Sequence, residues 1–165
     1  MSERSLYFAY GSNLDPVQMK RRCPGSESVG PAFAAGWVLT FPVRSGGDWQ
    51  GGVASIETPD ALADPSEPQA SLDDGVWGLV YRVTDDDLSA LDVYEAIAEG
   101  MYVRGEVQAS LDREQVTAVT YFAARGYNAP DAPSTKYLSA IVRGAEYHGL
   151  PELYLDRLRA IPTND

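Results

Sequence analysis

Apolar residues along this chain occur in short runs, separated by turn-forming residues, that predict β-strands. The Val76 to Val83 run is apolar on both faces, which predicts a central strand. The last two runs flank a polar turn and predict a hairpin. The predicted strands lie at Leu6 to Tyr10, within Phe33 to Pro42, and at Gly52 to Glu57, Val76 to Val83, Met101 to Val107 and Val116 to Phe122.

Capping residues, prolines and glycines mark the predicted helices. In the second helix, Leu88, Leu91 and Glu95 share one face. The predicted helices start at Asp15-Pro16, at Thr84 with Asp85-Asp86-Asp87, at Ser134 and at Pro151, and the first three end near Arg22, at Gly100 and at Gly149. Strands and helices mixed without strict alternation predict an α+β fold, whose sheet can close into a small barrel.

The length and composition are those of one globular domain. A chain of 165 residues can bury a core within one domain, which we expect to span residues 1–165. With 44% hydrophobic and 22% charged residues, the chain is not of the disordered class. The segment from Thr58 to Asp74 is rich in Pro, Asp, Ser and Ala and predicts a surface loop rather than a linker.

The net charge indicates which binding partners to expect, and the single cysteine indicates which cellular compartment. A formal charge of −11 repels phosphate backbones and anionic membrane surfaces, so we expect no nucleic-acid and no membrane partner. A small zwitterionic substrate remains compatible with this charge. Cys23 has no second cysteine to pair with, and the first residues show no signal-peptide pattern, so we expect a cytoplasmic protein.

The small number of histidine and cysteine residues disfavours catalysis by histidine, by cysteine or by a bound metal. His148 is the one histidine, and we expect it to be solvated at a helix end, where the dipole favours it. With one Cys and one His, we expect no zinc site and no other metal. Cys23 lies beside Arg21 and Arg22, which would lower its pKa, but no base is evident and we interpret the thiol as incidental. The run Asp85-Asp86-Asp87 is interpreted as a helix cap rather than a metal site.

Glu95 is the acidic residue best placed for acid–base chemistry. It shares the apolar stripe of Leu88 and Leu91 and falls near a helix C-terminus, so burial and the dipole both favour a raised pKa. A raised carboxyl pKa suits a group that accepts and returns a proton near neutral pH. The pattern alone leaves open an ordinary glutamate at an exposed helix end.

The Tyr10-Gly11-Ser12-Asn13 turn is the second candidate site. It joins a buried strand to a helix start, and Gly11 permits close approach of a ligand to the backbone. Amides at such a turn can bind a carboxylate or an oxyanion. The pattern alone leaves open a plain connection between a strand and a helix.

Motifs in chain order resemble those of the γ-glutamyl cyclotransferase family. The likeness spans nearly the whole chain, and the ordered set is far more specific than the turn alone. The motifs are Tyr7-Phe8-Ala9-Tyr10-Gly11-Ser12-Asn13-Leu14, Trp49-Gln50-Gly51-Gly52-Val53-Ala54, Trp77-Gly78-Leu79-Val80-Tyr81, Leu91-Asp92-Val93-Tyr94-Glu95 with Gly100-Met101-Tyr102-Val103, Pro133-Ser134-Thr135-Lys136-Tyr137, and Gly149-Leu150-Pro151.

The resemblance implies a mixed-strand β-barrel with flanking helices and an enzyme that needs no cofactor. Because members of the family often form dimers, it also implies a homodimer as one possible assembly. The implied reaction is attack of a γ-glutamyl compound's α-amine on its own γ-carbonyl, giving 5-oxoproline and a free amine. Glu95 would carry the proton, and positioning would supply much of the rate. The implied substrate-binding residues are Tyr7, Tyr10, Gly11, Ser12, Asn13, Leu14 and Tyr137.

Two departures from the family pattern bear on the substrate. Ala96 follows Glu95 where many relatives have glycine, and Tyr94 precedes it where some have a polar residue. The leading hypothesis is cyclotransfer on γ-glutamyl amino acids. The alternatives are the same reaction on a γ-glutamylamine or on a biosynthetic γ-glutamyl intermediate, and a non-catalytic binding module of the same fold. Arg44, Arg104 and Arg125 are candidates for binding a substrate carboxylate, and the pattern does not rank them.

Overall fold

A computed structural model describes residues 4–45, 51–58, 75–95, 97, 100–124 and 132–165. The strands are β1 (Ser5–Ala9), β2 (Glu27–Ala35), β3 (Val38–Ser45), β4 (Gly51–Glu57), β5 (Gly75–Val83), β6 (Tyr102–Leu111) and β7 (Glu114–Ala123). The helices are α1 (Pro16–Arg22), α2 (Asp85–Tyr94), α3 (Thr135–Tyr147) and α4 (Glu152–Arg159), and a 3-10 turn covers Ser12–Leu14.

A closed barrel of mixed strands forms the centre of the fold, in the order β1-β5-β2-β6-β7. β5 pairs antiparallel with both β1 and β2, which confirms the central strand expected from its apolar faces. A parallel pairing of β1 with β7, with Tyr7 opposite Val119, closes the barrel. Closure pairs the two outer strands of this five-stranded sheet with each other. The α+β class, the small barrel and its flanking helices are therefore confirmed.

The strands β3 and β4 form a separate antiparallel sheet beside the barrel. It is tied to β7 by the backbone N–H of Ala123, which donates to the Ser55 hydroxyl at 2.9 Å. It is tied to the segment before α3 by Gly52, whose N–H donates to the Ala132 carbonyl at 3.1 Å. These bonds bring Ala54 of β4 to the mouth of the barrel, where the candidate site lies.

The helix α3 packs directly on the 3-10 turn through Gly144. A Cβ atom built on Gly144 would lie 2.2 Å from the carbonyl carbon of Leu14, so only glycine allows this approach. Leu14 and Ile141 are fully buried at the contact region. The backbone of α3 thus packs directly against the backbone of the turn.

The predicted helix starts at Asp15, Thr84 and Ser134 are confirmed by capping hydrogen bonds. The Thr84 hydroxyl accepts from the Asp87 N–H, and the Asp87 carboxylate accepts from the Thr84 N–H, both at 3.1 Å. This reciprocal capping box confirms the interpretation of the acidic run as a cap. Asp15 caps α1 and Ser134 caps α3 through their side chains, and Gly149, at φ +71°, follows the end of α3.

One predicted strand region is wrong. The sequence suggested no strand before Phe33, whereas β2 begins at Glu27 and β3 is a distinct strand that begins at Val38. The first residues of β2 are exposed, and a register shift between Ser28 and Gly30 breaks the alternation of apolar positions. Gly36, at φ +82°, separates the two strands, because this left-handed backbone ends strand geometry.

The predicted hairpin of β6 and β7 is confirmed and is longer than expected. The strands extend to Leu111 and from Glu114, joined by Asp112 and Arg113, both at positive φ. Most of the predicted Thr58 to Asp74 loop lies outside the described residues, as do Trp49, Gln50 and Ala96. Among the described helices, none is both long and apolar enough to cross a bilayer.

Candidate active site

A cavity of about 160 Å³ lies where the loop after β1, the ends of α1 and α2, and strands β4 and β7 meet. It brings together residues that are far apart in the chain. The residues that line it include Tyr10, Ser12, Arg22, Ala54, Glu95 and Tyr137. A single cavity therefore contains both features selected from the sequence, the turn and the glutamate.

Glu95 is the residue that ends α2, and it lines this cavity. Its backbone N–H donates to the Leu91 carbonyl at 2.8 Å, which holds the last helical turn closed. Burial raises the pKa of Glu95 to about 7, and the positive charge of Arg22 acts in the opposite direction. The rise expected from burial is confirmed. A carboxyl group with this pKa exchanges its proton near neutral pH.

Asn13 connects the turn to its surroundings through both its side chain and its carbonyl. Its amide nitrogen donates to the Tyr7 hydroxyl at 3.0 Å. Its side-chain oxygen accepts from Gln18 at 3.0 Å and from Arg22 at 3.2 Å. Its backbone carbonyl accepts from the Tyr81 hydroxyl at 3.0 Å. Because four partners fix Asn13, the turn presents its backbone to the cavity in one arrangement.

Tyrosine hydroxyls brace the cavity wall. Tyr137 accepts a hydrogen bond from the Ala54 N–H at 2.9 Å, and Tyr102 donates to the Ala54 carbonyl at 2.7 Å. Tyr10 donates to the Tyr121 carbonyl at 2.6 Å. Burial, followed by the charge of Glu95, raises the pKa of Tyr10 well above its ordinary value. The hydroxyl of Tyr10 therefore stays protonated and in place at neutral pH.

Arg22 is a cavity residue that sequence reasoning did not select. It is the last residue of α1, and its guanidinium lies 4.5 Å from the centre of the Tyr94 ring. Among the described lining residues, Arg22 and Glu95 are the charged ones. The sequence signal that could have identified Arg22 is its spacing from Gln18, because Arg22 lies one helical turn further along the same face of α1. That face is identified only once the fold shows Gln18 bonded to the Ser12 hydroxyl at 2.7 Å.

Most of the binding residues expected from the sequence line the cavity. Those that do are Tyr7, Tyr10, Gly11, Ser12, Asn13 and Tyr137. Leu14 does not line it: its side chain is fully buried beneath α3. Arg104 also lies elsewhere, with its guanidinium 2.7 Å from Asp92. The Arg44 side chain and Arg125 lie outside the described residues.

The expected properties of Cys23 and His148 need correction. The pKa of Cys23 is raised to about 12 by burial and by Asp87, and Arg22 only opposes this rise. The neighbouring arginines were expected to lower that pKa, and burial outweighs them. His148 does end α3, as predicted, but it is half-buried rather than solvated. Its Nε2 lies 3.2 Å from the Tyr81 hydroxyl, behind the turn.

The cavity offers a proton-exchanging carboxylate, a guanidinium and a loop backbone around space for a small polar molecule. Within the described residues, no group of His, Cys, Asp and Glu side chains is placed to hold a metal ion. Such an arrangement is compatible with acid–base chemistry on a small substrate.

Comparisons with known proteins test the resemblance seen in the motifs. Residues 75–158 match the model of the AIG2-like family. The γ-glutamylcyclotransferase of Homo sapiens is 34% identical over 167 residues, which cover 99% of this chain and 81% of the human protein. The Mus musculus protein of the same name is 33% identical, with the same coverage. The chain therefore belongs to the γ-glutamylcyclotransferase family, which confirms the resemblance, and these relatives support an enzyme of the general cyclotransferase type.

A solved structure agrees with this assignment. A structure described as a γ-glutamyl cyclotransferase superposes with a TM-score of 0.85 at 30% identity. The match covers 99% of this chain and 90% of that chain. The described barrel and helices are therefore the fold of that enzyme class.

Proposed function

We propose that this protein converts γ-glutamyl amino acids into 5-oxoproline and the free amino acid. The observation that carries the proposal is Glu95, a half-buried residue in the cavity that the turn also lines, whose carboxyl pKa is raised by burial to about 7. The names of the human and mouse relatives support the same chemistry. A buried acid is costly to ionise, and a pure binding module has no need of one here.

The proposed reaction replaces the γ-amide of the substrate with the internal amide of a lactam. The α-amine nitrogen forms a bond to the γ-carbonyl carbon, and the bond from that carbon to the leaving nitrogen breaks. In becoming the lactam N–H, the α-ammonium group gives up two protons, and the leaving nitrogen gains two as it becomes the ammonium group of the free amino acid. The ionised form of Glu95 accepts these protons in turn and delivers them to the leaving nitrogen. The five-membered lactam and the amino acid are the two products, and no water or cofactor is consumed.

The turn supplies the groups that hold the γ-glutamyl unit. Gly11 lies against two wall residues, and a Cβ built on it would lie 3.3 Å from the Tyr137 hydroxyl and 3.5 Å from the Ala54 Cβ. This close packing favours recognition by backbone groups of Gly11 and Ser12 instead of long side chains. Tyr137, which packs against Gly11, orients the substrate through its hydroxyl.

Positioning supplies a large part of the expected rate. Because nucleophile and electrophile belong to one molecule, the enzyme has only to fold the substrate so that the amine meets the carbonyl. The hydrogen bonds of Tyr10, Asn13 and Tyr137 support this positioning role of the enzyme, because they hold the cavity wall in place while the substrate folds.

The test is product formation from a panel of γ-glutamyl compounds. Wild-type protein is incubated at pH 8 with γ-glutamyl-alanine, other γ-glutamyl amino acids and γ-glutamyl-ethylamide, and 5-oxoproline is quantified by mass spectrometry. We expect product from the amino-acid members. Product from the ethylamide alone would move the assignment to γ-glutamylamines. No product from any member would overturn the cyclotransferase proposal.

The cytoplasmic location and the homodimer are further predictions of this proposal. Light scattering on the purified chain tests the second of them, with a mass of twice 17.9 kDa as the expected result.

A further inference from the structure

The guanidinium of Arg22 is held at the cavity wall with part of its hydrogen-bonding capacity unused. One terminal nitrogen donates to the Asn13 side-chain oxygen at 3.2 Å. The Nε atom is buried, and it has no hydrogen-bond partner among the described residues. A buried donor without an acceptor is costly, so a group of this kind usually has a ligand or another partner.

The surroundings of Arg22 keep its guanidinium in position. The Tyr94 ring covers it at 4.5 Å, which is a favourable cation–π distance, and Asn13 fixes one end. Arg22 has no carboxylate within salt-bridge distance among the described residues, in contrast to Arg104 and Arg143. Its charge faces a cavity in which Glu95 is the one acidic residue among the described lining residues, and the pKa of Glu95 is raised.

We propose that Arg22 binds a carboxylate of the substrate. The proposal rests on the proposed function, because every γ-glutamyl amino acid has one carboxylate on the γ-glutamyl unit and a second on the leaving amino acid. Guanidinium is the side-chain group that best matches the planar geometry of a carboxylate. Either carboxylate lies a few bonds from a nitrogen that exchanges a proton with Glu95, so both fit a cation near that residue.

Equilibrium binding tests the proposal without relying on turnover. All variants are made in the Glu95→Gln background, in which the substrate is expected to persist, and the Kd of γ-glutamyl-alanine is measured by calorimetry. Arg22→Gln is compared with Arg21→Gln, which removes the same charge from the neighbouring exposed residue. We expect Arg22→Gln to weaken binding by about 30-fold or more, the usual effect of removing one member of a buried charge pair. We expect Arg21→Gln to change it by less than about threefold.

Two further ligands distinguish the two carboxylates. γ-Glutamyl-ethylamide lacks the carboxylate of the leaving group, and 4-aminobutanoyl-alanine lacks that of the γ-glutamyl unit. The ligand that lacks the Arg22-bound carboxylate should bind with a Kd that no longer depends on Arg22. Either pattern supports the proposal. Equal Kd values for Arg22→Gln and Arg21→Gln with γ-glutamyl-alanine would overturn it.

Two controls separate a failure of this proposal from misfolding of the variant and from failure of the proposed function. If Arg22→Gln does not fold, judged by its melting curve, Arg22→Lys takes its place, because it keeps the charge and loses the planar fork. We expect it to weaken binding at least about fivefold, and wild-type binding by Arg22→Lys would overturn the proposal. Failure of the proposed function is recognised independently, since wild-type protein would then release no 5-oxoproline.

Discussion

The hydroxyl of Tyr121 donates a hydrogen bond to Asp92 at 2.7 Å, and this bond joins the barrel wall to the helix that ends at Glu95. The second carboxylate oxygen of Asp92 lies 2.7 Å from Arg104 on β6. Asp92 lies almost one helical turn before Glu95. The bond joins the end of α2 to the barrel wall, and we therefore expect Asp92 to position Glu95.

Replacing Asp92 should lower kcat more than it changes KM. In Asp92→Ala, the end of α2 loses both anchors, and small misplacements of a reacting group are costly. We expect kcat to fall about tenfold to 100-fold, with KM changed less than about threefold. Asp92→Asn keeps an oxygen acceptor for Tyr121, so it should recover much of this loss. Steady-state kinetics of 5-oxoproline release measure both variants, and a wild-type kcat in Asp92→Ala would contradict the positioning role.

The raised pKa of Glu95 should make the free energy of unfolding depend on pH. Replacing Glu95 with Gln should remove this contribution. The pKa of Glu95 is raised from 4.5 to about 7 in the folded protein. The folded state then binds more protons than the unfolded state between these values, so this group's contribution to stability is lost as the pH rises through that window. Relative to wild type, Glu95→Gln should gain about 3 kcal/mol in unfolding free energy between pH 4.5 and pH 8.

Urea unfolding of both proteins at the two pH values measures this difference, since all other titrating groups are shared. An unchanged difference between pH 4.5 and pH 8 would show that the carboxyl group is not buried in solution. This test needs no substrate, so it remains informative whatever the reaction is.

Gly144 should be irreplaceable although it lies within a helix. Helix propensity alone favours alanine by about 1 kcal/mol. The added methyl group, however, would lie 2.2 Å from the backbone of Leu14, which cannot rotate away. We expect Gly144→Ala to lose at least about 2 kcal/mol of unfolding free energy by overpacking. Gly30→Ala is the control, since its Cβ would meet only Leu111 at 3.5 Å. A stabilised Gly144→Ala would refute the close contact.

Loss of the Tyr137 hydroxyl should destabilise the site. Tyr137→Phe removes the acceptor for the buried Ala54 N–H, which now bonds at 2.9 Å. An unsatisfied buried donor costs about 1–3 kcal/mol, whereas Tyr147→Phe at an exposed position should change stability by less than about 0.5 kcal/mol. Thermal or urea unfolding compares the two variants. Equal stability would show that the Ala54 N–H finds another partner.

Local signals in the sequence predicted most of the fold. β5, the capping box at Thr84 and the end of α3 at Gly149 follow from apolar runs and caps, which depend on neighbouring residues. The start of β2 was missed because its exposed residues and its irregular register resemble a loop. Barrel closure by β1 and β7 depends on residues more than a hundred positions apart, and no local pattern encodes that pairing.

The site was only partly predictable for a related reason. Glu95 could be selected because its helical stripe and helix end are both visible in the sequence. Arg22 could not, because it appears as one of three basic residues at the end of α1, and the tertiary structure alone brings it beside Asn13 and Tyr94. Leu14 was included with the turn although its side chain points away into the core. Contiguity in a motif does not ensure contact with the cavity.

The most direct test of the central claim is the pH dependence of 5-oxoproline release by wild-type protein and by Glu95→Gln. Our proposal makes the ionised form of Glu95 the proton acceptor, so kcat/KM of wild type should rise with pH along a limb whose pKa is about 7. Glu95→Gln should lose this limb and at least about 100-fold in rate. A limb near 4.5, the ordinary glutamate value, or a Gln variant as active as wild type, would contradict the assignment of Glu95 as the proton carrier.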